Sequence, residues 1–139
     1  MKHVYRPGVV LHLDSEELAR YGARCTDNSS VAVQGSHFFL CIEADSKEGA
    51  WTPLFSDPGV GRVLIESDQK KGHQKWTAGN SYYNPLQLWQ APHRAVQFAA
   101  KKGRDQSRGD AQNVVSSEAV PNKNAFAELP PAGAGSGGA

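Results

Sequence analysis

No apolar run in the 139 residues approaches the roughly 18 that a membrane helix needs. The opening, MKHVYRPGVV, lacks the long apolar region of a secretory signal. A cytoplasmic chain with no membrane partner is therefore expected. Cysteine is scarce as well: Cys25 and Cys41 stand alone, without the CxxC spacing of a metal or redox motif, and are expected as thiols in a reducing compartment. The five histidines form no HxH or HxxxH pair, so a zinc site would have to gather its ligands from distant positions. No metal and no other cofactor is expected. A further deficit is local. From Lys101 onward there is no Trp, Tyr, Ile or Met, one Phe, and an ending in Pro, Gly, Ala and Ser. Such a stretch has little apolar area to offset its ordering entropy. The expectation is a folded unit over 1–100 and a low-complexity, disordered tail over 101–139.

Within 1–100 the apolar pattern has mostly a period of two. Val9, Leu11 and Leu13 alternate with Val10, His12 and Asp14 in 8–14, the pattern of a half-buried strand opened by Pro7-Gly8. Further strands are expected at 29–35, 37–42, 50–56 and 62–67. Pro53 marks its strand as an edge or a bulge. Two helices are expected. One is at 14–22, with Asp14 or Ser15 as N-cap and Gly22 as stop, the equal alternative there being a long loop between strands. The other is at 93–103, where Ala95, Val96, Ala99 and Ala100 recur at helical spacing. Short strands separated by Gly and Pro turns about ten residues apart imply a mostly β fold. The expected form is a small SH3-like barrel with a short C-terminal helix, with an OB-fold as the competing topology.

The apolar run His37-Phe38-Phe39-Leu40-Cys41-Ile42 raises a specific question, because a histidine stands at its mouth. One reading makes His37 a strand-end residue with a satisfied hydrogen bond; the other makes it part of a site. Charge is also uneven. Residues 1–61 carry five Lys/Arg against eight Asp/Glu, net −3, whereas 62–104 carry eight against two, net +6. Lys70, Lys71, His73 and Lys75 lie beside Trp76, and cations interleaved with an aromatic ring suit a single-stranded phosphodiester chain.

YRPGVVLHLD, then SHFFLCIEA, then WTPLFS, with LQLWQAPHRAVQFAA closing the unit, resembles the MazF/PemK-type toxins over about residues 5–100. The resemblance implies an SH3-like barrel and a metal-independent endoribonuclease that cleaves single-stranded RNA. It also implies a homodimer restrained by an antitoxin protein. Where that family has Arg-Pro on its second strand, this chain has Ser36-His37. His37 then takes the acid or base role, Arg24 is the guanidinium that would reach in from a loop, and Ser56 matches the Thr/Ser at the third strand end that hydrogen-bonds phosphate. Lys70, Lys71, His73, Lys75 and Trp76 are the expected RNA contacts. The alternative function is a non-catalytic SH3-like module that binds a protein partner through its aromatic surface and tail.

Overall fold

The computed structural model describes residues 5–26, 33–103 and 112–129. In chain order the regular elements are β1 (Val10–Asp14), α1 (Ser15–Arg20), β2 (Arg24–Cys25), β3 (Ser36–Ala44), β4 (Glu48–Phe55), β5 (Val63–Ile65), β6 (Lys70–Lys71), α2 (Gln74–Thr77), β7 (Ser81–Tyr83), β8 (Trp89–Pro92), α3 (His93–Gly103) and β9 (Val114–Val115). Single 3-10 turns lie at Ser67–Gln69, Ser117–Ala119 and Lys123–Ala125. The fold is mostly β, built on antiparallel pairing with a few helices.

The long hairpin of β3 and β4 is the centre. Its turn closes on Asp45, whose Oδ1 accepts from the amides of Lys47 (2.8 Å) and Glu48 (2.9 Å). β1 pairs along the outer edge of β3. The other edge of β4 changes partner part-way: Glu48–Trp51 pair with β8, and Leu54–Phe55 pair with β7. Pro53, which has no N–H to give, falls at that switch. β5 follows β7 as the last strand in the order β1-β3-β4-β7-β5. Among the described residues this order leaves the sheet open, so the expected barrel closure is not seen.

Both faces of the central strands are covered, which explains the nearly unbroken apolar run over 37–42. Leu11, Leu13, Phe39, Cys41 and Trp51 point to one side and pack under α1 and α3, against Leu18, Ala95, Val96 and Ala99. Val10, Leu40, Ile42 and Leu54 point to the other, against Ile65, Trp76, Tyr83, Val115 and Phe126. The expectation of a half-buried first strand is corrected: β1 is buried on both faces except at His12. Both expected helices form, and the cap of the first is Asp14, whose Oδ1 accepts from Glu17 N at 3.0 Å. In the expected strand at 29–35, positions 29–32 lie outside the described residues and 33–35 are not strand.

The expected loose tail is also corrected for 112–129. β9 pairs with β6, Asn113 is wholly buried, and Val115 and Phe126 complete the second core. The scarcity of large apolar residues misled because two well-placed ones suffice when an existing core has an open side. The expected tail's remaining parts, 104–111 and 130–139, lie outside the described residues.

Candidate functional site

A groove of about 400 Å³ opens where β1, β3 and β4 end together. The corner that builds it is local. Asp14 caps α1 and lies within 3.4 Å of Ser36 Oγ, while Ser15 N donates to Gly35 O at 2.9 Å. These bonds tie the end of β1 to the start of β3 and fix the backbone that carries His37. His12 and His37 line the groove from β1 and β3, Ser56 and Asp57 from the end of β4, and Arg62 from the turn before β5. Lys70, Lys75 and Trp76 line it as well.

His37 is half-buried, and its ring stands edge-on to Phe55 with centroids 5.8 Å apart. Burial holds its pKa below the usual 6.5; the backbone carbonyls of Gln34 and Leu54, which accept from the ring, raise it, and nearby His12 lowers it further. His12 itself packs edge-on to Phe38, 4.9 Å between centroids. The guanidinium of Arg62 lies 3.8 Å from the Phe55 ring centre, and its Nη1 donates to Asp57 O at 3.1 Å. A planar cation held on an aromatic face keeps its remaining N–H groups for an anion.

Of the expected site residues, His37, Ser56, Lys70, Lys75 and Trp76 meet in this groove. Others do not. Arg24 sits on β2 beside Gln90 of β8 and is not among the lining residues, so it does not stand in for the missing guanidinium. Arg62 is the arginine that the groove contains. Lys71 is exposed on β6, and His73 caps α2, its Nδ1 accepting from Lys75 N at 3.0 Å. Neither lines the groove.

Two expected RNA contacts are corrected in role. Trp76 is 1% exposed and its Nε1 donates to Val114 O at 3.2 Å, so no ring face is open to a base. Lys70 is 6% exposed. Its Nζ donates to Trp76 O (3.1 Å), Gly79 O (2.9 Å) and Ser81 Oγ (2.6 Å), and sits 4.3 Å from the Trp76 ring centre. All three N–H bonds of the ammonium are used within the fold, which leaves none for phosphate. Burial lowers its pKa from 10.5 to about 8.

His12 and Arg62 are the groove residues that sequence reasoning missed. His12 carried a weak signal, a titratable side chain at an otherwise apolar position of β1; its proximity to His37 depends on the β1–β3 register, which pairs His12 with Phe38 and Leu13 with His37. Neither cysteine is in a disulfide. Cys41 is wholly buried, and burial, helped by the charge of Glu43, pushes its thiol up to about 12, far from reactive. Among the described residues no three His, Cys, Asp or Glu side chains are grouped to hold a metal ion, and no helix is long and apolar enough to cross a membrane. No protein-family model, curated protein or solved structure matches the chain.

Proposed function

We propose that the groove is the active site of a metal-independent endoribonuclease acting on single-stranded RNA, a toxin of the MazF/PemK kind. The observation that carries the reading is the meeting of His37 and Ser56 with a second histidine, His12, and a preset guanidinium, Arg62, in one groove. On this reading neutral His37 takes the proton of the ribose 2′-hydroxyl. Its lowered pKa keeps the ring neutral and ready to accept at neutral pH. A neutral imidazole has one N–H, so the ring keeps its bond to one of the two carbonyls, gives up the other, and turns that nitrogen to the substrate. The 2′-oxygen attacks phosphorus, and the bond from phosphorus to the 5′-oxygen breaks. His12 supplies the proton that the departing 5′-oxygen takes up. Arg62 and Lys75 take the charge that grows on the phosphoryl oxygens, and Ser56 hydrogen-bonds one of them. The products are a 2′,3′-cyclic phosphate and a free 5′-hydroxyl. The open sheet is then a variant of the SH3-like barrel, and the same reading carries a homodimer, a cytoplasmic location and an antitoxin partner.

One observation favours the second reading, a non-catalytic SH3-like module that binds a protein. Val60, Val63 and Leu64 are exposed at and beside the edge strand β5, next to Arg62. Incubating the purified chain with mixed-sequence RNA in EDTA separates the two. The nuclease reading expects fragments with cyclic-phosphate ends, abolished in His37→Gln. Intact RNA with folded wild-type protein would leave the binding module.

A further inference from the structure

The face of the molecule formed by α1 and α3 lies across the central sheet from Trp76 and the second core. There Tyr21 and Phe98 stack with ring centroids 4.3 Å apart and planes only 12° from parallel. The guanidinium of Arg94 sits 5.9 Å from one centroid and 6.0 Å from the other, alongside the pair. α3 turns Ala95, Val96 and Ala99 into the core. Arg94, Gln97, Phe98, Lys101 and Lys102 all face solvent, and Phe98 is 37% exposed. The helix has no acidic residue. The nearby acids are Glu16 and Glu17 on α1, the latter engaged by Arg20 at 3.3 Å, and Asp45 beside His93 at the start of the helix, away from Lys101 and Lys102. A solvated helix face ordinarily mixes both signs. The exposed side of α3 presents three cations, Arg94, Lys101 and Lys102, at helical spacing about Phe98, which stacks on Tyr21 and keeps 37% of its surface exposed.

We propose that this face is a docking surface for single-stranded nucleic acid. The cations match a phosphodiester chain in sign, and a base stacks on the outer ring of the pair. The alternatives fit less well. A membrane surface needs apolar side chains that project and bury area; the exposed face of α3 has one, lying flat against Tyr21. An acidic peptide would use the cations but leave the stacked rings without a partner. The surface stands independently of any chemistry in the groove.

The test uses the full chain and a labelled mixed-sequence single-stranded DNA, which has no 2′-hydroxyl and is not cleaved by the proposed chemistry. Fluorescence anisotropy is followed over a range of salt for wild type, for Arg94→Gln/Lys101→Gln/Lys102→Gln, for Phe98→Ala, and for Arg62→Gln/Lys75→Gln in the groove. Losing three phosphate contacts should flatten the slope of log affinity against log salt by about 2, at roughly 0.7 per contact on a single strand. Phe98→Ala should weaken binding roughly 5- to 150-fold, the range for one stacked base. Melting curves check that each variant is folded. An unchanged slope in the triple variant overturns the proposal, as does a wild-type chain that binds no DNA at low salt. Duplex bound as tightly as the single strand overturns it too, because a stack needs an unpaired base. Retained DNA binding together with lost binding to phosphatidylserine vesicles would reassign the face to membranes. Loss confined to the groove variant leaves the groove reading standing and removes this one.

Discussion

Lys70 is an ammonium group buried with only neutral acceptors, and replacing it with methionine should produce a stability change that depends on pH in a calculable way. In the fold its pKa falls from 10.5 to about 8 because burial penalises the charged form. A base with a lowered folded pKa destabilises the fold while it is protonated in both states, below about pH 8. As pH rises from 8 towards 10.5 the folded chain releases its proton first, and stability increases. Integrated between pH 7 and pH 10, this is about 2–3 kcal/mol of stability gained by wild type. Lys70→Met removes the desolvation cost, about 3 kcal/mol, but leaves Trp76 O, Gly79 O and Ser81 Oγ without their donor. At about 1 kcal/mol for each lost bond the two effects nearly cancel at pH 7. At pH 10 the wild-type amine is neutral, still donates, and accepts from the Ser81 hydroxyl, so the variant should then be less stable by about 2–3 kcal/mol. Tyr83, whose pKa burial raises, is common to both chains and drops out of the difference. The assay is urea unfolding of both proteins at intervals from pH 7 to pH 10. A difference in unfolding free energy that stays constant over that range would show that Lys70 titrates normally in the fold, and the account of its burial would be wrong.

His37→Gln keeps a polar side chain but removes acid–base capacity, so RNA cleavage should fall by roughly 10²–10⁴-fold; cleavage at the wild-type rate would return His37 to a strand-end role. Because its folded pKa lies below 6.5, the ring's burial should also cost stability as pH falls through 6.5. That loss should be absent from acid-unfolding curves of the variant. Ending the chain at Ala111 removes Val115 and Phe126 from the core, worth about 1.5–3 kcal/mol each when buried. Calorimetry should show the melting transition lowered by many degrees or lost, and an unchanged transition would refute the packing of 112–129. At Gly72, φ is +134° and an added Cβ would lie 2.7 Å from Asn113 Cα. Gly72→Ala should therefore destabilise by at least about 2 kcal/mol, read by urea unfolding, whereas Gly35→Ala, with open space around it, should cost less.

Much of the fold was legible in the chain, because the signals are local. Alternation marked β1, Asp14 followed by Glu17 and Leu18 marked α1, and the spacing of Ala95, Val96 and Ala99 marked α3 almost to the residue. His37 and Ser56 were singled out as polar residues at strand ends, and they do share a groove. The rest depended on which strand lies beside which. Whether a strand is covered on one face or both depends on its neighbours, so β1 read as half-buried. Whether a lysine meets solvent or three carbonyl and hydroxyl oxygens depends on how the chain folds back, so Lys70 read as an RNA contact. The segment 112–129 read as loose because its own composition supplies few apolar side chains, while the cavity that Val115 and Phe126 fill belongs to residues far away in sequence. The sequence by itself determined a mostly β unit, its late helix and a histidine at the mouth of a central strand, since propensity and periodicity act over a few residues. Only the tertiary structure decided that Arg62 rather than Arg24 enters the groove and that His12 stands beside His37, because register and strand order are long-range properties fixed by the packing of the whole core.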